Sequence, residues 1–276
     1  MMQRRQLLQL PKMVWICVGY VFILIIAQFF VSSNAALEVK LDAQFLPMSL
    51  AHWLGTDDYG RDLFARLIIG ARYTLLVSLV TILLTVVIGV PIGMIAGYFR
   101  GRMERLTMRI VDIGLSIPEF VLIIAMASLL KPSIWNIVWA MVLLRWMTYT
   151  RLTRTIVASL REMDYIRMAK LYRVSTWQIM FRHFLPHVLP SILVVATVDF
   201  GKNILYISSL SFLGLGAQPP SPEWGEMLNA GRDFMTSTPI LLFAPAVMIA
   251  ITILIFQLTG DALRDYFTQE EHREHE

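Results

Sequence analysis

Charge and cysteine are both scarce in this sequence. Only 16% of its 276 residues are Asp, Glu, Lys or Arg, against about 25% in an average soluble domain. Hydrophobic residues make up 57%, above the roughly 45–50% of such domains. A water-soluble globular protein is excluded and an integral membrane protein is expected. The single Cys17 lies in an apolar run, which rules out a disulfide framework. The chain has no HExxH zinc motif, no GxSxG elbow and no GxxxxGK[ST] phosphate loop. It therefore carries no recognisable means of binding or hydrolysing ATP and no catalytic centre. Asp57, Asp58 and Asp62 lack EF-hand spacing, so turn-and-cap roles are expected of them. His183 and His187 have the spacing of helical metal ligands, but Pro186 between them interrupts the helix that would align them. His272 and His275 sit in a charged tail where weak metal binding is the lesser reading. No metal site is expected.

Long uncharged runs, by contrast, are plentiful. Residues 14–31 form one of 18 residues, enough to cross about 30 Å of hydrocarbon. A signal peptide cleaved near Ser33-Asn34-Ala35 is the competing account. The run exceeds the roughly 7–15 residues of a signal core, so an uncleaved first span is expected. Further spans are expected at 73–98, 110–130, 134–150, 188–210 and 239–259. Gly89, Gly93 and Gly97 stand four apart, which places three small residues on one helix face and lets a neighbouring helix approach closely. Pro91 is expected to kink that span.

The loops sort by charge. Residues 100–109 hold four Arg against one Glu, and residues 151–186 are strongly basic. The 32–70 loop holds five acids against three bases. By the positive-inside rule the two basic loops and both termini, with Arg4, Arg5 and Lys12, are cytoplasmic, and loops 32–70 and 217–238 face outward. Only the short turn at Lys131 departs from this bias. The expectation is an all-α polytopic membrane protein with six transmembrane helices in the cell membrane. Residues 1–31 form the cytoplasmic N-terminus and first span, and 32–70 an external loop. A five-helix core spans 71–260, and 261–276 form a charged cytoplasmic tail. Nothing in the charge distribution fits a nucleic-acid surface.

Several ionisable residues fall inside or beside spans, where they are costly and face other helices or a water-filled path. Asp199 and Lys202 are three apart and share a helix face. Arg145 is expected to pair with Glu119 or Asp112, or to reach an interface; Asp112 is expected to pair with Arg109. Asp199, Lys202, Arg145 and Glu119 are the candidates for lining a translocation path. Ion pairs that only fix helix register are the competing account.

The 151–186 segment has apolar residues at close to a 3.6 period among seven basic ones, so it is expected to form surface helices. Asp164 is expected to N-cap one, Ser175 or Thr176 the next, and Pro186 to end it. The competing account is a solvated face that only orients the protein in the bilayer.

This segment resembles the EAA-type loop of the permease subunits of binding-protein-dependent ABC importers. That loop reads Glu-Ala-Ala, three residues, Gly, then Ile and Leu-Pro. Ala169, Ile179, Leu185 and Pro186 match; Arg167, Met168 and Arg173 stand in place of Glu, Ala and Gly. Three further stretches resemble the dipeptide, oligopeptide and nickel permeases of this group. They are HWLGTDDYGRD at 52–62, SFLGLG at 211–216 with Pro219-Pro220 and Glu223-Trp224-Gly225 after it, and GDALRD at 260–265. The Asp-Pro usual after that last stretch is absent.

The resemblance implies a type I ABC importer permease that is not itself an enzyme. The 151–186 loop would form coupling helices on an ATPase, with Asp164, Arg167, Met168, Ala169, Lys170 and Arg173 in the contact. Partners implied are a sister permease, two ATPase subunits that bind ATP and Mg, and an extracytoplasmic solute-binding protein. The chain itself would bind no cofactor. The 196–201 stretch looks most like nickel-import members, so nickel, carried as a chelate, is the expected cargo, with di- and oligopeptides as the alternative. The spans hold no paired His or Cys for a bare soft metal. A secondary transporter would show inverted repeats with interrupted helices near the midplane, and no convincing repeat is present. A membrane scaffold with purely structural buried charges is a third class.

Overall fold

The structure, a computed structural model, describes residues 11–274. Arg4, Arg5 and His275 lie outside the described residues, as does the side chain of His272. The described residues form helices without a strand; one isolated antiparallel bridge joins Thr56 and Asp62. They divide into two compact units. One comprises the described residues up to Leu79, Ala127–Val138, and Thr197 onward; the other comprises Val80–Met126 and Trp139–Ala196.

In the first unit, α1 (Lys12–Phe30) is apolar all round and about 28 Å long at 1.5 Å per residue. Two hydrogen bonds tie it to α11 (Ile240–Glu274): Tyr20 Oη with Thr252 Oγ1 at 2.6 Å, and Thr259 Oγ1 to Met13 O at 3.3 Å. The short α2 (Ser33–Leu37) follows, capped by Ser32. The next helix, α3 (Leu63–Tyr98), is 36 residues long and begins ten residues before the expected start at Tyr73. Asp62 explains this early start, because its Oδ1 accepts from Ala65 N at 2.8 Å and so caps the first turn. Pro91 lies inside α3 without ending it.

The second unit is organised by the glycine stripe on α3. A Cβ on Gly89 would lie 2.6 Å from Trp146 O, one on Gly93 2.6 Å from Thr150 O, and one on Gly97 2.8 Å from Val157 Cβ. These partners belong to α6 (Ile134–Leu160), which the glycines admit to backbone contact. Thr150 Oγ1 adds a hydrogen bond to Gly89 O at 3.0 Å. Below them Met94, Val157, Ile166, Ile179, Phe184 and Val188 form a buried core.

Three expectations are corrected. The span at 110–130 is two helices, α4 (Arg102–Leu115) and α5 (Glu119–Ser128), bent by 80° at the break. Pro118 accounts for it: proline has no N–H to give and disfavours helical geometry at Ile117. The span expected to end at Thr150 runs on to Leu160, into the basic segment. Pro186 does not end a helix. Between α8 (Thr176–Ile179) and α9 (Leu185–Phe212), a π-turn over Met180–Phe184 widens the coil, with Leu185 N bonded to Met180 O. Such a local adjustment absorbs the proline's missing donor. The charged segment from residue 261 is helical to Glu274, continuous with the last span.

Four described helices are long and apolar enough to cross a membrane, five if the bent pair counts as one span. The fold is all-α, as expected, but the sixth span does not meet that test. α6 is long enough at about 40 Å, yet it carries Arg145, Arg151 and Arg154.

Gly93→Ala is expected to destabilise the chain by about 1–3 kcal/mol, since the added methyl meets a backbone carbonyl that cannot rotate away. Lower thermal stability of the detergent-solubilised variant would show it; unchanged stability would mean that α3 and α6 do not approach this closely.

Candidate functional site

The basic segment builds its surface from helix ends. After α6, Arg161 turns inward and donates through Nη1 to Gly97 O at 2.6 Å and Tyr98 O at 3.2 Å, closing the C-terminal end of α3. Next to it, Glu162 gathers Arg100, Arg161 and Arg167. Desolvation opposes its charge, but these guanidinium groups outweigh that and hold its carboxyl below the ordinary range. α7 (Asp164–Leu171) buries Ile166 and leaves Tyr165, Met168 and Leu171 exposed.

Asp164 is the first residue of α7 and not its cap; Met163 holds the cap position, with no side-chain bond. Asp164 and Glu162 both pair with Arg167, at 3.6 and 3.5 Å. Lys170 lies 4.8 Å over the Tyr98 ring, and Ala169 packs on the core. Ser175 caps α8 by accepting from Gln178 N.

Arg173 explains its own oddity. Val174 N bonds to Ala169 O and Arg173 N to Lys170 O, each at 3.0 Å. This is a Schellman ending, whose turn residue takes a left-handed conformation that glycine adopts without strain. Arg173 sits there at φ 55°, at the position where the EAA-type pattern carries glycine.

Two of the intramembrane pairings expected from sequence form. Arg145 Nε donates to Glu119 Oε1, joining α6 to the first residue of α5. Lys202 Nζ lies 3.6 Å from Asp199 Oδ1 on α9. The two pairs belong to different compact units. Asp112 pairs with Arg151 and not with Arg109; α4 and α6 bring these two side chains together, while Arg109 lies about one turn earlier in α4. A cavity of about 360 Å³ opens at the α4–α5 break, lined by the 114–119 stretch, Leu122, Leu144 and Thr148.

A third cluster escaped the sequence reading. Arg66, 1% exposed, places Nη1 3.4 Å from Asp57 Oδ2 and donates through Nη2 to Glu226 Oε2 at 3.0 Å. Asp57 Oδ1 also accepts from Tyr59 N and Arg61 N, each at 2.9 Å, the turn role expected for it. Glu223 caps α10 (Trp224–Gly231) through Gly225 N and Glu226 N, both at 3.0 Å, and Trp224 Nε1 donates to Leu67 O at 2.9 Å. The Glu-Trp-Gly stretch and the 52–62 stretch were the signals in the sequence; Arg66, 160 positions from its partner Glu226, had none. Burial pushes the Glu226 carboxyl up to about 7, against the pull of Arg66 and Arg61. Burial also raises Glu223.

Residues 89–272 match the family described as the binding-protein-dependent transport system inner membrane component. The dipeptide transport system permease protein DppC of Alkalihalophilus pseudofirmus is 40% identical over 91% of this chain and 82% of its own length. The nickel transport system permease protein NikC of Escherichia coli is 35% identical over 86% of each chain. Among solved structures, an inward-facing form of the MetNI methionine ABC transporter superposes with a TM-score of 0.58 at 20% identity, covering 74% of this chain and 97% of its own. That likeness concerns the fold.

Arg173→Gly is expected to stabilise the chain by about 1 kcal/mol, the approximate cost of a left-handed non-glycine residue. A rise in melting temperature on Arg173→Gly and a fall on Arg173→Val would bear this out; no change in either would remove the strain argument. Glu226 has a folded pKa above its unfolded one, so its contribution to stability is complete below about pH 4.5 and is lost as pH rises through about 7. Thermal stability of the wild type should decline across that window, and Glu226→Gln should flatten the decline.

Proposed function

Because this chain belongs to the family of binding-protein-dependent transport system inner-membrane components, we propose that it forms half of a translocation path with a sister permease. It is an ABC importer permease of the peptide and nickel group, not an enzyme, and a multi-pass protein of the inner membrane. ATP hydrolysis belongs to separate subunits. In the proposed complex two ATPase subunits bind ATP and Mg on the cytoplasmic side, a solute-binding protein delivers cargo from outside, and both termini are cytoplasmic.

The observation that carries this reading is the 151–186 segment. α7 presents Arg167, Lys170 and Leu171 beside the exposed Arg173 and Trp177, on a buried base of Ile166, Ile179 and Phe184. Such a rigid, mixed basic and apolar surface fits an ATPase groove with acidic and apolar walls. The proposed contact set is Asp164, Arg167, Met168, Ala169, Lys170 and Arg173. Ala169 contributes from beneath, by packing the α7 turn on the core. Closure of the ATPase pair on ATP would move α7, and Arg161 and Glu162 would pass that movement to the end of α3. The path candidates are Arg145 with Glu119, and Asp199 with Lys202.

The proposed cargo is a small organic solute. The relatives bear dipeptide and nickel names, and two readings follow: nickel inside a small-molecule chelate, favoured by the 196–201 stretch, or a di- or oligopeptide. Among the described residues no three His, Cys, Asp or Glu side chains come together to hold a metal.

Arg167→Glu with Arg173→Glu is expected to cut ATPase co-purification and solute uptake at least tenfold while the chain still reaches the membrane. Intact co-purification and uptake would remove the basic segment from the ATPase contact.

A further inference from the structure

Lys202 stands inside the apolar helix α9, and its side chain is 53% exposed. The opposite face of α9 is closed, with Asn203, Ile204, Ile207 and Ser211 buried. On the face of Lys202, Leu205 is exposed and Val198 and Ser209 are half-buried, at the spacing of successive turns. An exposed face of a spanning helix borders lipid, another protein surface or water. A lipid face is wholly apolar on α1, where Ile16, Phe22, Ile23 and Phe30 are exposed. A lysine on such a face runs its stem to the nearer membrane surface and puts its ammonium group in water. Lys202 does the opposite. It is closer to the Phe212 end of α9 than to the Leu185 end, yet its Nζ lies 3.6 Å from Asp199 Oδ1, one turn back toward the Leu185 end. The Asp199 side chain is only 11% exposed, so the ammonium group is the outermost charge of the pair.

Resting on the permease reading above, we propose that Lys202 borders the water-filled part of the translocation path and gives it a preference for anionic groups over cations. Charged side chains within spans face a bundle interior or a water-filled cavity, and the direction of this stem, away from the nearer surface, speaks against lipid. Asp199 fixes the position of Nζ at a distance longer than a hydrogen bond, so the ammonium group keeps donors for a passing solute. An ammonium group is a compact point charge with three donors. It therefore takes an anionic group of any shape on its open side, without the fixed geometry that a guanidinium demands. A divalent cation at the same point meets twice the repulsion of a monovalent one. In a narrow passage less water screens these forces than in bulk solution, which sharpens the discrimination. Lys202 thus reads the sign of the charge and leaves the rest of the solute unread.

The test is cysteine labelling in the full complex with its sister permease and ATPases, held in lipid nanodiscs with both faces open, with and without ATP. Cys17→Ala removes the native thiol. Leu205→Cys, one turn from Lys202 on the same face, is reacted with two water-soluble methanethiosulfonates of similar size, one anionic (sulfonatoethyl) and one cationic (trimethylammonioethyl). Modification of this chain is read by mass spectrometry. Both reagents are expected to label Leu205→Cys in at least one nucleotide state. Adding Lys202→Gln is expected to lower the anionic-to-cationic rate ratio about fivefold, while Lys202→Arg keeps it. A thiol that neither reagent reaches in either state places the face against lipid or protein and overturns the proposal. Free labelling with a ratio that Lys202→Gln leaves unchanged overturns it as well. A chain that does not assemble with a sister permease and ATPases overturns the permease reading itself, and the proposal with it.

Discussion

The buried guanidinium of Arg66 is the constraint on which the first unit depends. A charge this deeply enclosed is tolerable only when opposite charge surrounds it. Here that charge comes from two directions in sequence, Asp57 just before α3 and Glu226 on α10. Once Arg66 is placed, both segments are committed to the first turns of α3. Packing then completes what charge begins. Trp224 fills the space beneath and spends its only donor on Leu67 O, and Gly225 lets α10 reach the Ser208 backbone, where a Cβ would lie 2.5 Å from Ser208 Cα. The same burial raises the carboxyls of Glu226 and Glu223, which hold their protons more strongly than exposed ones would.

The second unit uses the opposite economy. Its interior is held by small residues and apolar contact, with Arg145 within α6 paired to Glu119, and Arg161 stands where the backbone carbonyls at the end of α3 need partners. Arg161 closes the end of α3, and its neighbour Glu162 ties Arg100, just past that end, to Arg167 on α7. Helix end and surface helix are therefore one mechanical piece. In the proposed complex, a push on α7 would reach the end of α3 through these pairs and the Ile166 core contact. The link is made of residues outside the matching positions of the EAA-type pattern.

Features with local causes were legible in the sequence. Apolar runs marked four of the six expected spans, with the bent α4–α5 pair as a fifth, the four-residue glycine spacing placed a close helix contact on α3, and Asp57 behaved as a turn residue because its Oδ1 accepts from the nearby Tyr59 N and Arg61 N. Features set by distant chemistry were less legible. Arg66 looked like one more loop base until α10 closed on it. Arg145 had two acids to choose between, and the bend at Pro118 decided for Glu119. Pro186 read as a helix end because a regular α-helix was assumed, and a π-turn removes that conflict. Arg173 looked like a departure from the EAA-type pattern in charge; its backbone shows that the position is constrained in conformation first, and that arginine occupies it under strain.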